Sequence, residues 1–439
     1  MSGFNALREL PEGPGYGPGD VFVLFGELFA RGYANGLVEQ AKERGMTLIG
    51  ATVGRRDKDN VLRALDPDEL AQAEANLGGK ILNYPLWAGF DMDAPAGGVS
   101  PADMIAKVKP TEWQDFKLDW DQIKAAQEAG INRFRTSLTQ MVSELSGLIP
   151  KGANVLFAHT MAGGIPKAKV FLVLINRAVK GSGERYLPSV DLWEHSDLGH
   201  LAALNYDAIT ADTFLELLNA TGGIREQVTQ GGGRCSYSGY GYHGTEILVG
   251  GKYQWQTYSP YLPGWSKKRL EDHARQAFKQ GIKACIYNCP EIRTNSSDLF
   301  SGVELPLYPL LSALIKEEGS NFAYLQTQIC QDKLVDEETI ENLLNKVDAF
   351  HTHPLMQPYY ADFDGWPKHN TREMAEYMLE QSDLIMALNR DKKDLVTDHL
   401  SNLVLESSGR IMFKDITNPK APVQWLGHDI IAKDLNGAH

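Results

Sequence analysis

The chain of 439 residues has few cysteines and no long apolar run. Its 4 scattered cysteines are too few for the disulfide framework of a secreted protein, and we interpret them as buried small side chains in a reducing compartment. No apolar stretch approaches the ~18 residues of a membrane span. Residues 1–19 lack the cationic start and apolar centre of a signal peptide. We therefore expect a cytoplasmic protein without stable membrane association.

The chain also lacks an excess of positive charge, since its net charge is -13. Nonspecific binding to nucleic acid or to anionic membranes needs a cationic surface, so neither partner is predicted. The pairs Cys285/Cys289 and His351/His353 lack the spacing or the further ligands of a metal site, and no metal is predicted. With 43% hydrophobic residues the chain has the composition of a globular protein with a large core.

Strand and helix patterns alternate along the chain. Residues 20–25 form a β-branched and aromatic run closed by Gly26, apolar residues recur at helical spacing over 32–44, and 46–53 is a second strand candidate. This alternation predicts an α/β fold, a doubly wound Rossmann-type parallel sheet that binds ligands at the carboxyl ends of its strands. Further strand candidates are 80–90, 154–159 and 283–288.

We divide the chain into an N-terminal segment (1–19), a Rossmann-type domain (20–335) and a C-terminal extension packed on it (336–439). An apolar helix with a proline in its first turns is predicted near 306–316, inside a segment, 300–320, that is either core or a helical lid over a hydrophobic substrate. Acidic amphipathic helices are predicted beyond residue 336, and 418–439 is expected to form a polar tail.

Three glycines stand at the first strand-to-helix junction. Gly26, Gly32 and Gly36 lie where the pyrophosphate of a dinucleotide would meet free backbone amides and the positive end of a helix dipole. Their spacing differs from the usual Gly-x-Gly-x-x-Gly, so the position between strand and helix carries the prediction. These glycines predict a cofactor-binding turn.

Two arginines follow the second predicted strand. Arg55 and Arg56 suit the 2′-phosphate of NADP, whereas Asp57 leaves NAD open. We favour NADPH over NADH on this basis.

A tyrosine and two lysines lie close together in the segment 258–268. Tyr258 is followed by Lys267 and Lys268, and an alternative pairing joins Tyr261 to Lys268. A nearby cation lowers the pKa of a phenol, which is ordinarily about 10, and so makes it a better proton donor and oxyanion partner. Beside a dinucleotide turn, this pair predicts an oxidoreductase.

The turn and a later loop resemble the enoyl-acyl-carrier-protein reductases of the short-chain dehydrogenase/reductase superfamily. From Gly26, the pattern Gly-x5-Gly-Tyr-Ala-Asn-Gly is similar to their nucleotide-binding turn. The sequence Pro-Glu-Ile-Arg-Thr at 290–294 is similar to the Gly-Pro-Ile-Arg-Thr that follows their sixth strand, although Cys289 replaces the glycine and Glu291 is an additional residue.

The spacing from Tyr258 to Lys267 resembles the FabV type, and the whole of 20–334 is most similar to the FabMG group. The resemblance implies NADPH- or NADH-dependent reduction of trans-2-enoyl thioesters in fatty-acid biosynthesis, with the substrate carried by acyl carrier protein or coenzyme A. It implies catalytic roles for Tyr258, Lys267, Tyr242 and Lys268. It implies cofactor contacts by Gly26, Gly32, Tyr33, Gly36, Arg55, Arg56, His159, Lys267, Ile292 and Thr294. It implies substrate contacts by Tyr242, Tyr258, Tyr261, Leu307 and Tyr308.

Basic residues between 267 and 283 predict a docking face for the acidic acyl carrier protein. Two other functions stay open. A carbonyl (β-ketoacyl) reductase of the same superfamily would use a serine ahead of the tyrosine, for which Ser236 and Ser238 are available. A non-catalytic cofactor-binding scaffold would tolerate the loss of Tyr258 and Lys267. The sequence predicts no oligomeric state.

Overall fold

The computed structural model describes residues 4–13, 15–257, 264–295, 297, 300, 302–317, 321–356, 358–359, 363–366 and 369–438. Among these residues, 7 strands form one parallel sheet in the order β11-β10-β7-β6-β1-β2-β5. They are β1 (Val21–Phe25), β2 (Thr47–Thr52), β5 (Lys80–Pro85), β6 (Val155–His159), β7 (Cys235–Tyr240), β10 (Lys283–Asn288) and β11 (Val423–Trp425). The predicted α/β class and parallel sheet are confirmed.

Helices cover both faces of the sheet, and two small antiparallel pairs lie outside it, β3 (Arg55–Arg56) with β4 (Leu62–Arg63) and β8 (Glu246–Val249) with β9 (Lys252–Trp255). The helices are α1 (Ala34–Glu43), α2 (Pro67–Leu77), α3 (Pro101–Ile105), α4 (Trp120–Leu148), α5 (Lys169–Lys180), α6 (Ser189–Trp193), α7 (Asp197–Tyr206), α8 (Thr213–Ala220), α9 (Gly222–Gln230), α10 (Gly264–Lys279), α11 (Leu310–Lys316), α12 (Asn321–Gln331), α13 (Ile340–His351), α14 (Arg372–Met386), α15 (Val396–Asp415) and α16 (His428–Ala438). A π-helical turn, Asp207–Asp212, joins α7 to α8.

The opening β-α-β unit forms as its sequence predicts. All five residues of β1 are buried, because strands on both sides and helices on both faces surround it. Helix α1 ends at Glu43, and Gly45 follows it with a φ of +67°, the left-handed conformation that glycine adopts at low cost. The amide of Met46 then donates to the carbonyl of Ala41 at 3.0 Å, so the last turn of the helix is capped by backbone.

The remaining predicted strands form with shorter or equal bounds, whereas β7 was not predicted. The sequence of β7, Cys-Ser-Tyr-Ser-Gly-Tyr, has no β-branched residue, and its strand structure comes from pairing with β6 on one side and β10 on the other. Tertiary pairing therefore decides this strand, because intrinsic strand preference is weak here.

The prediction of a polar tail at 418–439 is wrong. Residues of this segment form β11, which pairs with β10, and α16, in which Ile430, Ile431 and Leu435 have no exposed surface. Helix α15 also packs on α1, where a Cβ atom on Gly36 would approach the carbonyl oxygen of Leu405 to 2.2 Å. The division at residue 336 stays a prediction, but the C-terminal part completes both the sheet and the core.

The apolar segment predicted near 306–316 forms a 3₁₀ turn, Leu305–Leu307, followed by α11. Its residues Leu307, Tyr308, Leu310 and Leu311 have no exposed surface and belong to the larger of the cores that flank the sheet. In this conformation the segment is core, and a role as a lid stays a prediction.

Candidate active site

The sheet changes its winding direction between β1 and β6, which are adjacent although β2 and β5 lie between them in sequence. In parallel α/β sheets, such a point leaves a crevice at the carboxyl ends of the strands, where ligands bind. Here the crevice has a volume of about 230 Å³ and is lined by Gly26 after β1, Val53 after β2, Trp87 beyond β5 and Thr160 after β6.

Gly26 is required by close backbone approach. Its φ is +139°, and a Cβ atom at this position would lie 2.3 Å from the hydroxyl of Thr160. Gly32, by contrast, has open space around it, with no heavy atom of another described residue within 4 Å of the position that a Cβ atom would take. Gly36 lies in α1 at its contact with α15, so its lack of a side chain allows the two helices to pack closely. Of the three predicted glycines, only Gly26 lines the crevice among the described residues.

Tyr33 links the glycine turn to two strands at the far side of the crevice. Its hydroxyl donates to the carbonyl of Pro290 at 2.7 Å, and its own carbonyl accepts from the hydroxyl of Tyr240 at 3.0 Å. The two tyrosine rings stack with centroids 5.3 Å apart. The turn is thus fixed to the ends of β7 and β10, and burial raises the pKa of both phenols.

The two predicted phosphate-binding arginines differ in their surroundings. The guanidinium of Arg55 pairs with the Glu27 carboxylate at 2.7 Å. The guanidinium of Arg56 lies 5.3 Å from the ring centroid of Trp87, which lines the crevice. Among the described residues, Nε and Nη2 of Arg56 are buried without a hydrogen-bond partner. Burial lowers the pKa of Arg56, and an anion at its unpaired nitrogens would offset that desolvation.

His159 ends β6 as a buried neutral imidazole. Its Nε2 lies 2.8 Å from the hydroxyl of Thr213, and that hydroxyl donates its only proton to the carbonyl of Ile209. The imidazole must therefore donate from Nε2. Burial and then the nearby charge of Lys267 lower the pKa of His159 to about 3.

Lys267 is the buried cation of the site. It lies in the first turns of α10, is 8% exposed, and donates from Nζ to the carbonyl of Tyr240 at 2.7 Å. Burial lowers its pKa to about 8, although the charge of Glu271 acts in the opposite direction. The ammonium therefore lies at the carboxyl end of β7, close to His159 at the end of β6. This is the edge of the sheet at which the crevice opens.

Glu271 is the counter-charge and has no exposed surface. Its Oε1 accepts from Asn288 at 3.1 Å and lies 2.7 Å from Nδ1 of His243, and its Oε2 accepts from Arg275 at 3.0 Å. A buried carboxylate needs such partners because its desolvation is costly. The cluster fixes α10, and with it Lys267, against the end of β10.

Tyr242 follows β7 and lies in an aromatic cluster with Tyr359, Trp265 and Trp366. Its ring meets that of Tyr359 edge-on, with centroids 5.9 Å apart. The Tyr242 side chain acts to lower the pKa of the Glu291 carboxyl group. Burial acts more strongly and raises the pKa of Glu291 to about 7.

A second cavity of about 480 Å³ lies beside α10. Apolar side chains from α5, α7 and α10 form much of its wall, among them Ile175, Val179, Tyr206 and Trp265, together with Phe300. The turn that begins at Asp207 separates this cavity from the crevice, since Tyr206 and Asp207 line the former while Asn205 and Ile209 line the latter. π-Helical turns are frequent at functional sites.

Lys268 lines this second cavity and pairs with Asp272 at 3.0 Å, so its side chain points away from that of Lys267.

Other predicted site residues lie away from both cavities or outside the described residues. Ile292 is 2% exposed in the main core, and the amide of Thr294 donates to the hydroxyl of Ser297. Leu307 and Tyr308 line neither cavity. Tyr258 and Tyr261 lie outside the described residues, so their roles stay predictions.

Sequence reasoning did not assign roles to Glu291, Gln256 or the residues that line the second cavity. Glu291 had a visible signal, because an acidic residue stands between a proline and an isoleucine in a strand-end loop. Tyr206 and Phe300 had none, since lone aromatic residues are usually core.

No helix in the described part of the chain is long and apolar enough to cross a membrane. Within the same residues, no group of three or more His, Cys, Asp or Glu side chains is arranged to hold a metal ion.

The parallel sheet and its switch-point crevice define a Rossmann-type α/β protein. The sequence matches the family model of the enoyl-acyl carrier protein reductase FabMG over residues 3–435, and the chain belongs to this family of oxidoreductases. The predicted function, reduction of enoyl thioesters in fatty-acid synthesis, is thereby confirmed at the level of the family. The predicted similarity to the FabV type and the superfamily assignment stay predictions.

Two solved structures are similar over the full length of the chain. One is an apo FabMG structure, described as a novel type of enoyl-acyl carrier protein reductase, with 53% identity, a TM-score of 0.96 and coverage of 100% of this chain and 99% of that one. The other is a FabMG structure with NADH bound, with 46% identity, a TM-score of 0.80 and coverage of 100% of both chains. Among curated proteins, none matches the chain.

Proposed function

We propose that this protein binds a reduced nicotinamide dinucleotide in the strand-end crevice and reduces trans-2-enoyl thioesters of acyl carrier protein, with Lys267 as the essential cation. The position of Lys267 carries the proposal. An ammonium group that is 8% exposed, with its Nζ 2.7 Å from a strand-end carbonyl, would be a costly structural device unless it served a ligand.

The residues of the crevice fit a dinucleotide. Gly26 allows a pyrophosphate to approach the backbone, and the unpaired nitrogens of Arg56 are suited to a phosphate oxygen. Lys267 would bind the hydroxyls of the nicotinamide ribose. When bound, the reduced nicotinamide supplies hydride to the β-carbon of the enoyl thioester. The positive charge of Lys267 then stabilises the negative charge that develops on the thioester oxygen.

The tyrosine that meets this oxygen is proposed from two candidates. Tyr258 has the predicted spacing to Lys267, whereas Tyr242 lies beside the start of α10 in the aromatic cluster. We retain both, with Tyr261 and Lys268 as the alternative pair. A phenol held where charge develops lowers the barrier, and removal of one such donor typically costs about 100-fold or more in kcat.

We assign the acyl chain to the cavity beside α10. Its volume of about 480 Å³ and its aromatic and aliphatic lining suit an alkyl chain. Ala203 lines this cavity on an exposed turn of α7, so a larger side chain there would narrow the cavity without disturbing the core. Ala203→Trp should raise KM for long enoyl thioesters while crotonyl thioesters keep their rate. Equal effects on both chain lengths would place the acyl chain elsewhere.

The choice between NADPH and NADH is a separate proposal. Arg56 favours a 2′-phosphate, but Arg55 is already neutralised by Glu27. A FabMG homologue was solved with NADH. We propose NADPH use through Arg56, so that Arg56→Gln raises KM for NADPH about tenfold and leaves KM for NADH unchanged. A wild-type enzyme that uses NADH alone would contradict this.

The acyl carrier protein would dock near α10, although most cations of this helix already have partners. Arg269 pairs with Asp212, and Arg275 pairs with Asp272 and the buried Glu271. Lys279 is exposed, so Lys279→Glu tests docking without breaking an internal pair. It should raise KM for the carrier-linked substrate and leave KM for the coenzyme A analogue unchanged.

One assay tests the central proposal. The purified protein should oxidise NADPH or NADH with trans-2-enoyl thioesters and should not do so with β-ketoacyl thioesters. Preference for the β-ketoacyl substrate would favour a carbonyl reductase, and no oxidation with either would favour a binding scaffold. The predicted serines give the carbonyl reductase little support, because Ser238 is buried within β7.

A further inference from the structure

Three polar side chains lie together in the wall of the cavity beside α10. Ser189 begins α6, Glu194 follows the same helix, and His369 precedes α14, and all three line the cavity. Ser189 is 6% exposed, whereas the side chains of His369 and Glu194 are 24% and 45% exposed. The group therefore extends from the buried wall of the cavity to solvent. The hydride transfer proposed above does not use these residues.

His369 joins the other two residues through both of its ring nitrogens. Its Nε2 lies 2.9 Å from Oε1 of Glu194, and its Nδ1 lies 3.1 Å from Oγ of Ser189. A carboxylate can only accept, so the neutral imidazole carries its proton on Nε2 and donates it to Glu194. Nδ1 then has a free lone pair, and the hydroxyl of Ser189 donates to it. The serine oxygen thus faces a base whose orientation is fixed by a carboxylate.

Ser196 shows what a purely structural serine looks like in the same region. It is 2% exposed, caps α7 by accepting from the amide of Gly199 at 3.1 Å, and donates to the carbonyl of Leu192 at 2.6 Å. Its proton is held by a carbonyl, which is not a base. The proton of Ser189 is held by an imidazole instead, and its oxygen lines a cavity. The two serines are similarly buried but differ in what can remove the proton.

We propose that Ser189, His369 and Glu194 form a second catalytic site, which hydrolyses acyl thioesters. The substrate is a thioester whose alkyl chain occupies the cavity and whose carbonyl lies beside Ser189. The aliphatic side chains of Ile175 and Val179 in the cavity wall suit such a chain. The inference rests on the assignment of the acyl chain to this cavity and needs no nicotinamide. Saturated thioesters, the products of the proposed reduction, belong to this substrate class.

Bonds and protons balance in two steps. First, Oγ of Ser189 bonds to the carbonyl carbon, its proton passes to Nδ1 of His369, and the C–S bond breaks as the thiol leaves with that proton. Second, a water molecule attacks the acyl-serine ester and gives a proton to Nδ1, and the serine oxygen leaves and takes this proton. The products are a carboxylic acid and a thiol, and nothing is oxidised or reduced. Lys268 lines the same cavity as a cation that can offset negative charge on the carbonyl oxygen.

Two probes test this site without a nicotinamide. An alkyl fluorophosphonate, which phosphonylates activated serines, should label the wild-type protein at Ser189, as located by peptide mass spectrometry. Decanoyl-coenzyme A should release thiol faster than it does in buffer. Ser189→Ala should remove the label and lower this hydrolysis by about 100-fold or more. Glu194→Gln keeps an oxygen that accepts from Nε2 but loses the negative charge, and it should slow both labelling and hydrolysis about tenfold.

Ser196→Ala is the matched control, because it removes a similarly buried serine and a helix cap. It should lower the thermal stability and keep both the label and the hydrolysis. Labelling of the wild type does not depend on the folding of any variant. A wild-type protein without a label at Ser189, or hydrolysis at the wild-type rate in Ser189→Ala, would overturn the inference. Failure of the proposed reduction would appear differently, as hydrolysis of decanoyl-coenzyme A by a protein that does not oxidise NADPH or NADH with enoyl thioesters.

Discussion

The two halves of the active-site edge are built by different means. At the ends of β1, β2 and β6 the crevice is shaped by backbone, with Gly26 closely packed against Thr160. At the ends of β7 and β10 the site is shaped by buried charge, with Lys267 and Glu271 at its centre. The first half leaves open the space in which we propose that the cofactor binds, whereas the second half holds polar groups out of water. The two halves should therefore fail differently when they are mutated.

The largest effect is expected at the buried counter-charge. Glu271→Ala removes the buried carboxylate near His243 and Lys267 and one of the two carboxylates that pair with Arg275, and we expect a loss of about 3–5 kcal/mol in the free energy of unfolding. Denaturant titration measures this loss. Asp272→Ala is the matched control on the same helix, because Asp272 is half exposed and its pairs with Lys268 and Arg275 lie at the surface. A similar loss in both variants would show that the buried cluster stabilises the fold no more than a surface ion pair does.

The second-largest effect is expected on removal of the buried cation Lys267. Lys267→Ala should lower kcat for an enoyl thioester by about 100-fold or more and weaken cofactor binding, because the developing negative charge loses its partner. Steady-state kinetics and cofactor titration measure the two effects separately. Lys268→Ala tests the alternative pair. Lys279→Ala, at the exposed end of α10, is the control when the substrate is a coenzyme A thioester, which does not need the proposed docking face. Loss of activity only in Lys268→Ala would show that Lys268, and not Lys267, is the catalytic cation.

The backbone half is tested at Gly26. Gly26→Ala adds a Cβ atom 2.3 Å from the Thr160 hydroxyl at a φ of +139°, and the strain should cost about 1–3 kcal/mol of stability. Cofactor affinity should fall as well. Gly32→Ala has open space and should leave stability unchanged, so thermal unfolding of the pair separates strain from ligand contact. Equal stability of both variants would contradict the close-approach argument.

Lowering the pH should decrease the stability of the fold by a smaller amount and more gradually. Burial lowers the pKa of His159, His351 and His428 to about 3 each, below their ordinary value of 6.5. The unfolded chain therefore binds more protons than the folded one between those pH values, and stability falls as the pH decreases from 6.5 toward 3. Each histidine contributes a slope of up to about 1.4 kcal/mol per pH unit. Stability that is constant over this range would show that the imidazoles become protonated without unfolding.

The contrast between the two halves also explains what could be predicted from the sequence. The crevice half is visible because backbone demands appear as glycine, so β1, Gly26 and α1 were located by their residue types. The charged half is visible only at Lys267, which the resemblance marked. Its partners Glu271 and His243 lie 28 residues apart in sequence and meet only through the fold. Strand β11 and helix α16 were missed because they are short or mixed in composition and become apolar elements only when packed against β10 and α15.

A crystal structure with NADPH or NADH bound tests the central claim most directly. The account predicts a dinucleotide that crosses from Gly26 to the end of β7, with the hydroxyls of its nicotinamide ribose within hydrogen-bond distance of the Lys267 ammonium. A cofactor bound elsewhere, with Lys267 still donating only to the carbonyl of Tyr240, would contradict it.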